Sequence, residues 1–265
     1  MQIGLCTSCS NAAVLKAAGF DFIEENVRRF LMPEQPDDSA WAGAEAAATC
    51  TLPIASANVL LPGELKVVGP SVEWHRLEQY MATVARRAAK AGIRTVVFGA
   101  GASRSVPDGF DRDLALRQLS AFLRHGGDVL GAAGITLVVE HLNRRETNLL
   151  NRLSETARVV GELAHPAVGL LVDTYHFWLE EGTADELREA VPLVRHVHVA
   201  DRDGRTAPGL VAAPLDGRDY VGVFRVLRQG GYDGRVSVEA ASFDLPTHAA
   251  AVARHLRAAW SAAAD

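Results

Sequence analysis

Eight short runs rich in β-branched and aliphatic residues recur along this chain, each followed by a segment with helical period. The strand runs are Gln2–Cys6, Phe20–Glu24, Ile54–Val59, Thr95–Gly99, Thr136–Glu140, Gly169–Asp173, His196–Ala200 and Arg235–Glu239. Between them the apolar spacing predicts helices over Asn11–Ala18, Ser39–Ala48, Ser71–Ala91, Asp111–Ala133, Ser154–Leu163, Thr183–Val191, Asp219–Gln229 and Pro246–Ala263. Ser71, Ser154 and Asp219 are expected to cap helix starts, and Gly92, Gly134 and Gly230 to close helix ends. Strict strand–helix alternation demands parallel strands, and eight such units close on themselves as a (β/α)₈ barrel. An open doubly wound sheet would carry a glycine fingerprint in its first strand-to-helix turn. That turn reads Cys6-Thr7-Ser8-Cys9-Ser10, so the barrel is the expected fold.

The length agrees. At 265 residues the chain matches the roughly 250 that one α/β barrel needs, so one catalytic domain over residues 1–265 is expected. The formal net charge is −5 and the basic residues are dispersed, which argues against a nucleic-acid partner. Apolar runs are too short for a membrane span, and no basic segment followed by an apolar core suggests a secretory leader. Cys6 and Cys9 have CxxC spacing, but Cys50 stands alone where a zinc site needs a second ligand pair. Incidental thiols and a reducing, cytoplasmic location are therefore expected.

The chemistry concentrates at four consecutive strand ends. The fifth strand closes on Glu140, the sixth on Asp173, the seventh carries His196 and His198, and the eighth closes on Glu239. In a barrel these ends share one rim, where clustered carboxylates repel each other in a poorly hydrated space. A divalent cation resolves that repulsion, and mixed carboxylate and imidazole donors suit Mn²⁺, Co²⁺, Fe²⁺ or Zn²⁺. Glu24, at the end of the second strand, is a further pocket candidate. His196, two residues before His198 and on the same side, reads either as a support for a ligand or as a packed core histidine. The segment Phe98-Gly99-Ala100-Gly101, with Arg104 after it, reads either as a tight turn or as an anion-binding substrate contact.

These motifs resemble the sugar phosphate isomerase/epimerase family of the xylose isomerase-like barrel superfamily. The stretches that carry the resemblance run from Val138 to Asn148, from Asp173 to His176 and from His196 to Asp201, with Phe98-Gly99-Ala100-Gly101 and Arg104 before them and Gly231-Tyr232 and Ser237-Val238-Glu239 after them. The related ketose 3-epimerases bind one Mn²⁺ or Co²⁺. The resemblance therefore implies metal ligands Glu140, Asp173, His198 and Glu239, with Mn²⁺ first and Co²⁺, Mg²⁺, Fe²⁺ or Zn²⁺ as alternatives. It makes Glu140 and Glu239 the catalytic acid and base on opposite substrate faces. It also implies that Glu146, His176 and Arg205 contact a small sugar or sugar phosphate, and that the chain assembles as a homodimer or homotetramer. A dehydratase of keto-inositol or dehydroshikimate type would use the same metal site and the same first proton removal. An endonuclease IV-like repair nuclease would need additional histidines on other strands; the first four strands end without histidine, and His75 falls inside a helix.

Overall fold

In the computed structural model, which describes residues 1–35, 41–211 and 219–264, eight strands form a closed barrel in sequence order. They are β1 (Gln2–Cys6), β2 (Phe22–Asn26), β3 (Ile54–Asn58), β4 (Thr95–Phe98), β5 (Thr136–Glu140), β6 (Val168–Asp173), β7 (Val194–Val199) and β8 (Arg235–Val238). Every neighbouring pair is parallel, including β1 with β8, which closes the ring. Parallel strands covered by helices are buried on both faces, and β3 and β6 are buried at every position.

The helices are α1 (Ala12–Ala18), α2 (Gly43–Thr49), α3 (Trp74–Ala91), α4 (Gly101–Arg104), α5 (Arg112–Ala132), α6 (Leu153–Leu163), α7 (Thr174–Leu179), α8 (Ala184–Ala190), α9 (Tyr220–Gln229) and α10 (Leu245–Ala262). In α3 the buried residues Leu77, Tyr80, Met81, Val84 and Ala88 recur at three- and four-residue spacing, so one stripe faces the strands. No helix among the described residues is long and apolar enough to cross a membrane.

Several elements depart from the sequence reading. β2 starts two residues later than expected, because Gly19 closes α1 in a left-handed turn and Asp21 accepts from the Ile3 amide at 2.7 Å. A single π-helical stretch, Val27–Leu31, then follows β2 directly. α4, after β4, and α7, after β6, are short helices that the sequence reading does not assign. Among the expected caps, Asp219 accepts from the Gly222 amide; Asp111, not singled out in the sequence, caps α5 by accepting from the Leu114 amide. Ser71 and Ser154 do not cap: α3 begins after Glu73 and α6 after Arg152. At α6 a tertiary contact takes over, with the Ser154 amide donating to Glu186 of α8 at 2.8 Å. The predicted start of α2 at Ser39 lies outside the described residues.

Candidate metal centre

The strand ends bring the expected residues together. One donor atom each from Glu140, Asp173, His198 and Glu239 lies within 4.8 Å of the others. The register explains this: Asp173 pairs with His198 across β6 and β7, and His198 pairs with Ser237 across β7 and β8. Glu239 sits one residue past β8, held there because its amide donates to the Val199 carbonyl at 3.1 Å.

Each donor is fixed from behind. Asp173 caps α7 by accepting from the Tyr175 amide at 2.7 Å, which leaves Oδ2 for the centre. Glu239 accepts from Asn58 Nδ2 at 2.7 Å and from Arg205 Nη2 at 2.5 Å. Glu140 has its main-chain carbonyl held by Arg104 Nη2 at 2.7 Å, while its Oε1 has no hydrogen-bond partner. His198 places Nδ1 at 3.3 Å from Glu239 Oε2 and 3.5 Å from Glu140 Oε1, also without a hydrogen bond. Unpartnered buried polar atoms are rare in folded proteins. Two of them aimed at one point, inside a ring of carboxylates, fit a divalent cation.

The electrostatics agree. Burial, reinforced by Glu239, pushes the Glu140 carboxyl up to about 8. Burial also opposes ionisation of Asp173, but His176, Arg205 and His198 outweigh it and bring that carboxyl down to about 2. Burial disfavours the charged form of His198, yet the surrounding Glu24 and Glu239 carboxylates hold it well above the ordinary imidazole range. So much negative charge within a few ångströms retains protons that a metal ion would displace.

Below the ligands lies a second polar layer. Glu24, 1% exposed, accepts at Oε1 from His198 Nε2 at 2.7 Å. Its Oε2 accepts from Ser56 at 2.7 Å, Ser237 at 2.6 Å and His196 Nε2 at 2.7 Å. His196 is thus linked to His198 through Glu24, and its ring also packs edge-on against the His198 ring, with centroids 5.2 Å apart.

The residues expected to touch substrate divide. His176 is fully buried; its Nδ1 accepts from Asn143 Nδ2 at 2.8 Å, and its Nε2 lies 3.8 Å from Asp173 and 4.0 Å from Glu140. Arg205 packs over the Tyr175 ring at 4.8 Å and bridges Asp173 and Glu239. Glu146 accepts from Asn143 at 2.9 Å, with its side chain 40% exposed at the rim. Arg104 is turned inward. It is wholly buried against the Phe98 ring, and it donates to the carbonyls of Phe98 and Glu140. The two glycines before it make room for neighbours and do not form an anion cradle. A Cβ at Gly99 would overlap the Glu140 carboxylate, and one at Gly101 would lie 2.6 Å from the Glu146 carbonyl oxygen. A cleft of about 480 Å³ opens beside the centre, with Cys6, Glu24, Arg29, Asn58 and Glu239 among its walls. All three cysteines are free.

Asn58 is the functional neighbour that the sequence reading missed. Its signal was present, since Ser56 and Asn58 lie two apart on one strand and therefore share a face.

A closed parallel barrel with a convergent acid–imidazole cluster at one rim defines an α/β-barrel protein with a candidate metal site. More particularly, the chain belongs to the xylose isomerase-like TIM barrel family, whose sequence profile matches residues 12–260. It is 29% identical over 145 residues to a human putative hydroxypyruvate isomerase, covering 51% of this chain and 50% of that protein. It is 32% identical over 111 residues to a ketose 3-epimerase of Arthrobacter globiformis, covering 41% of this chain and 36% of that protein. A 3-dehydro-D-guloside 4-epimerase of Escherichia coli is 32% identical over 124 residues, covering 46% and 45%. The alignments thus span half or less of these curated relatives. Among solved structures, a 3-keto-D-glucoside 4-epimerase from E. coli superposes with a TM-score of 0.79 at 23% identity, over 97% of this chain and 99% of that one. At that identity the superposition speaks for the fold.

Proposed function

We propose that this chain is a divalent-metal-dependent epimerase or isomerase of a small sugar or sugar derivative, working through proton transfer beside a carbonyl. One observation carries the reading: four donors from four consecutive strand ends converge within 4.8 Å, two of them with buried, unpartnered atoms. Glu140, Asp173, His198 and Glu239 would hold the ion, and Mn²⁺ is our first assignment for a set of three carboxylates and one imidazole. When bound, the ion polarises the substrate carbonyl and its neighbouring hydroxyl and so acidifies the C–H between them.

Glu140 and Glu239 approach the centre from strands separated by β6 and β7, so they flank a substrate from different sides. One carboxylate removes the proton from one face and the other returns a proton to the opposite face, which inverts the carbon. Asn58 and Arg205 orient Glu239, and Arg104 fixes the strand end that carries Glu140. The buried Nε2 of His176 is available to a substrate oxygen. Glu146, at the mouth, is placed to hold a hydroxyl. Arg104 is assigned to support and not to substrate. The names of the relatives favour a carbohydrate or a related hydroxy-carbonyl compound as substrate. The additional histidine ligands of a nuclease are lacking at the ends of β1 to β4.

The test is to load the protein with Mn²⁺ and incubate it with ketose, aldose and keto-glycoside panels in D₂O. Deuterium entry at the carbon beside the carbonyl is expected for at least one substrate. No exchange with any of them, in protein carrying its ion, would sink the proposal.

A further inference from the structure

Glu24 is absorbed neither by the ligand set nor by the acid–base pair, yet it is among the most completely satisfied side chains of the barrel interior. Its two oxygens carry different partners. Oε2 collects three donors, Ser56, Ser237 and His196, whereas Oε1 accepts from His198 Nε2. The three contacts on Oε2 come from β3, β8 and β7, so the carboxylate is anchored across the barrel. A carboxylate accepts and does not donate, so the proton of the His198–Glu24 bond belongs to Nε2. In the neutral imidazole that binds a metal, Nδ1 then presents its lone pair, and that atom is the buried, unpartnered one aimed at Glu140 and Glu239.

We propose that Glu24 is a positioning residue for the metal centre: it holds His198 in the one tautomer and ring orientation that can ligate through Nδ1, and so sets how tightly the ion is held. The inference rests on the metal-centre reading above. A ligating imidazole gains basicity and a fixed ring from a carboxylate on its other nitrogen, and loss of such a partner weakens metal affinity on the order of 10- to 100-fold. The rest of the network serves the same end. Ser56 and Ser237 tether Oε2, and Glu24 and Ser56 are direct register partners on β2 and β3. The carboxylate therefore has little freedom to swing away from His198.

The test uses two substitutions with opposite defects. Glu24→Gln keeps length and shape but removes the charge; Glu24→Asp keeps the charge but withdraws the oxygens by one methylene. Leu256→Ala, in the buried face of α10, serves as a general destabilisation control. For each folded protein, Mn²⁺ and Co²⁺ dissociation constants are measured by chelator competition, and the visible spectrum is recorded at saturating Co²⁺. Both Glu24 variants should bind roughly 10- to 100-fold more weakly and show shifted Co²⁺ bands, while the Leu256 variant keeps wild-type values. Wild-type affinity and an unchanged spectrum in either Glu24 variant would overturn the proposal. So would failure of both Glu24 variants to fold while the control folds, because Glu24 would then be a structural group. A wild-type protein that binds no ion would instead remove the metal centre itself, which separates the two readings.

Discussion

The two halves of the barrel treat the same rim differently. β5 to β8 end on or beside Glu140, Asp173, His198 and Glu239, whereas β1 to β4 end on Cys6, Asn26, Asn58 and Phe98. The first half brings no charged ligand to the rim. It contributes from underneath and from the side, through Glu24 and Ser56 below His198 and Asn58 beside Glu239. The second half supplies the donors, and the first half helps to fix their angles. That division follows from charge, since a complete ring of eight acidic ends would be prohibitively repulsive around a single ion.

The comparison breaks most sharply at the donors. Glu140→Gln and Glu239→Gln should each lower kcat by roughly 10²–10⁴, the usual contribution of a general acid or base, with metal content checked in parallel. In D₂O, each variant should lose C–H exchange mainly from one epimer if the two carboxylates serve opposite faces. Loss from every substrate in one variant alone would indicate a single-base isomerase or a lyase. Asp173→Ala should abolish stoichiometric metal binding while the barrel stays folded, as judged by circular dichroism. Adding an ion at 100 times its dissociation constant should stabilise the wild type by about 2.7 kcal/mol, and EDTA should remove that gain. The Asp173 variant should show neither effect, and a wild-type-like rise in its Tm on adding metal would remove Asp173 from the ligand set.

The supporting half predicts smaller losses. Asn58→Ala removes one donor to Glu239 and leaves all four ligands in place. A loss of about 1.4 kcal/mol, tenfold in kcat/KM, is expected with unchanged metal stoichiometry. An unchanged kcat/KM would mean that Arg205 alone orients Glu239.

The same division explains what was legible in the sequence. The eight strands and the four donors stood out because each strand run alternates with a helical one and ionisable residues at strand ends are conspicuous. Glu24 could be placed in the pocket but not given a partner, because its role depends on the side-chain layer it shares with His196, His198 and Ser237 across the barrel. The segment from Phe98 to Arg104 reads in sequence either as a tight turn or as an anion-binding contact. In the fold the space beside its two glycines is filled by the Glu140 carboxylate and the Glu146 backbone, and Arg104 turns inward. The start of α6 misled for a similar reason: Ser154 resembles a cap, but the helix end is satisfied by Glu186, which lies 32 residues away.

Glu186 offers the mildest test, and it probes the outer helices against both halves of the rim. Its side chain accepts from the Ser154 amide and from Arg152 Nη2, each at 2.8 Å, and so ties α8 to the start of α6. Burial opposes its ionisation, but the Ser154 contacts and Arg152 outweigh burial and hold the carboxyl below its ordinary value of 4.5. A folded-state value below the unfolded one gives stability that is fully present above 4.5 and is lost as pH falls through the folded value. Arg152 is 42% exposed, so solvent screens that pair and most of the benefit comes from the amide. Glu186→Gln should therefore cost about 1 kcal/mol near neutral pH, measured by urea unfolding. The gap between wild type and variant should hold steady above the ordinary carboxyl value and close in acid. Metal affinity and kcat/KM should stay at wild-type levels, because nothing at the centre leans on α8. A catalytic defect larger than the stability defect would mean that the outer ring also tunes the rim.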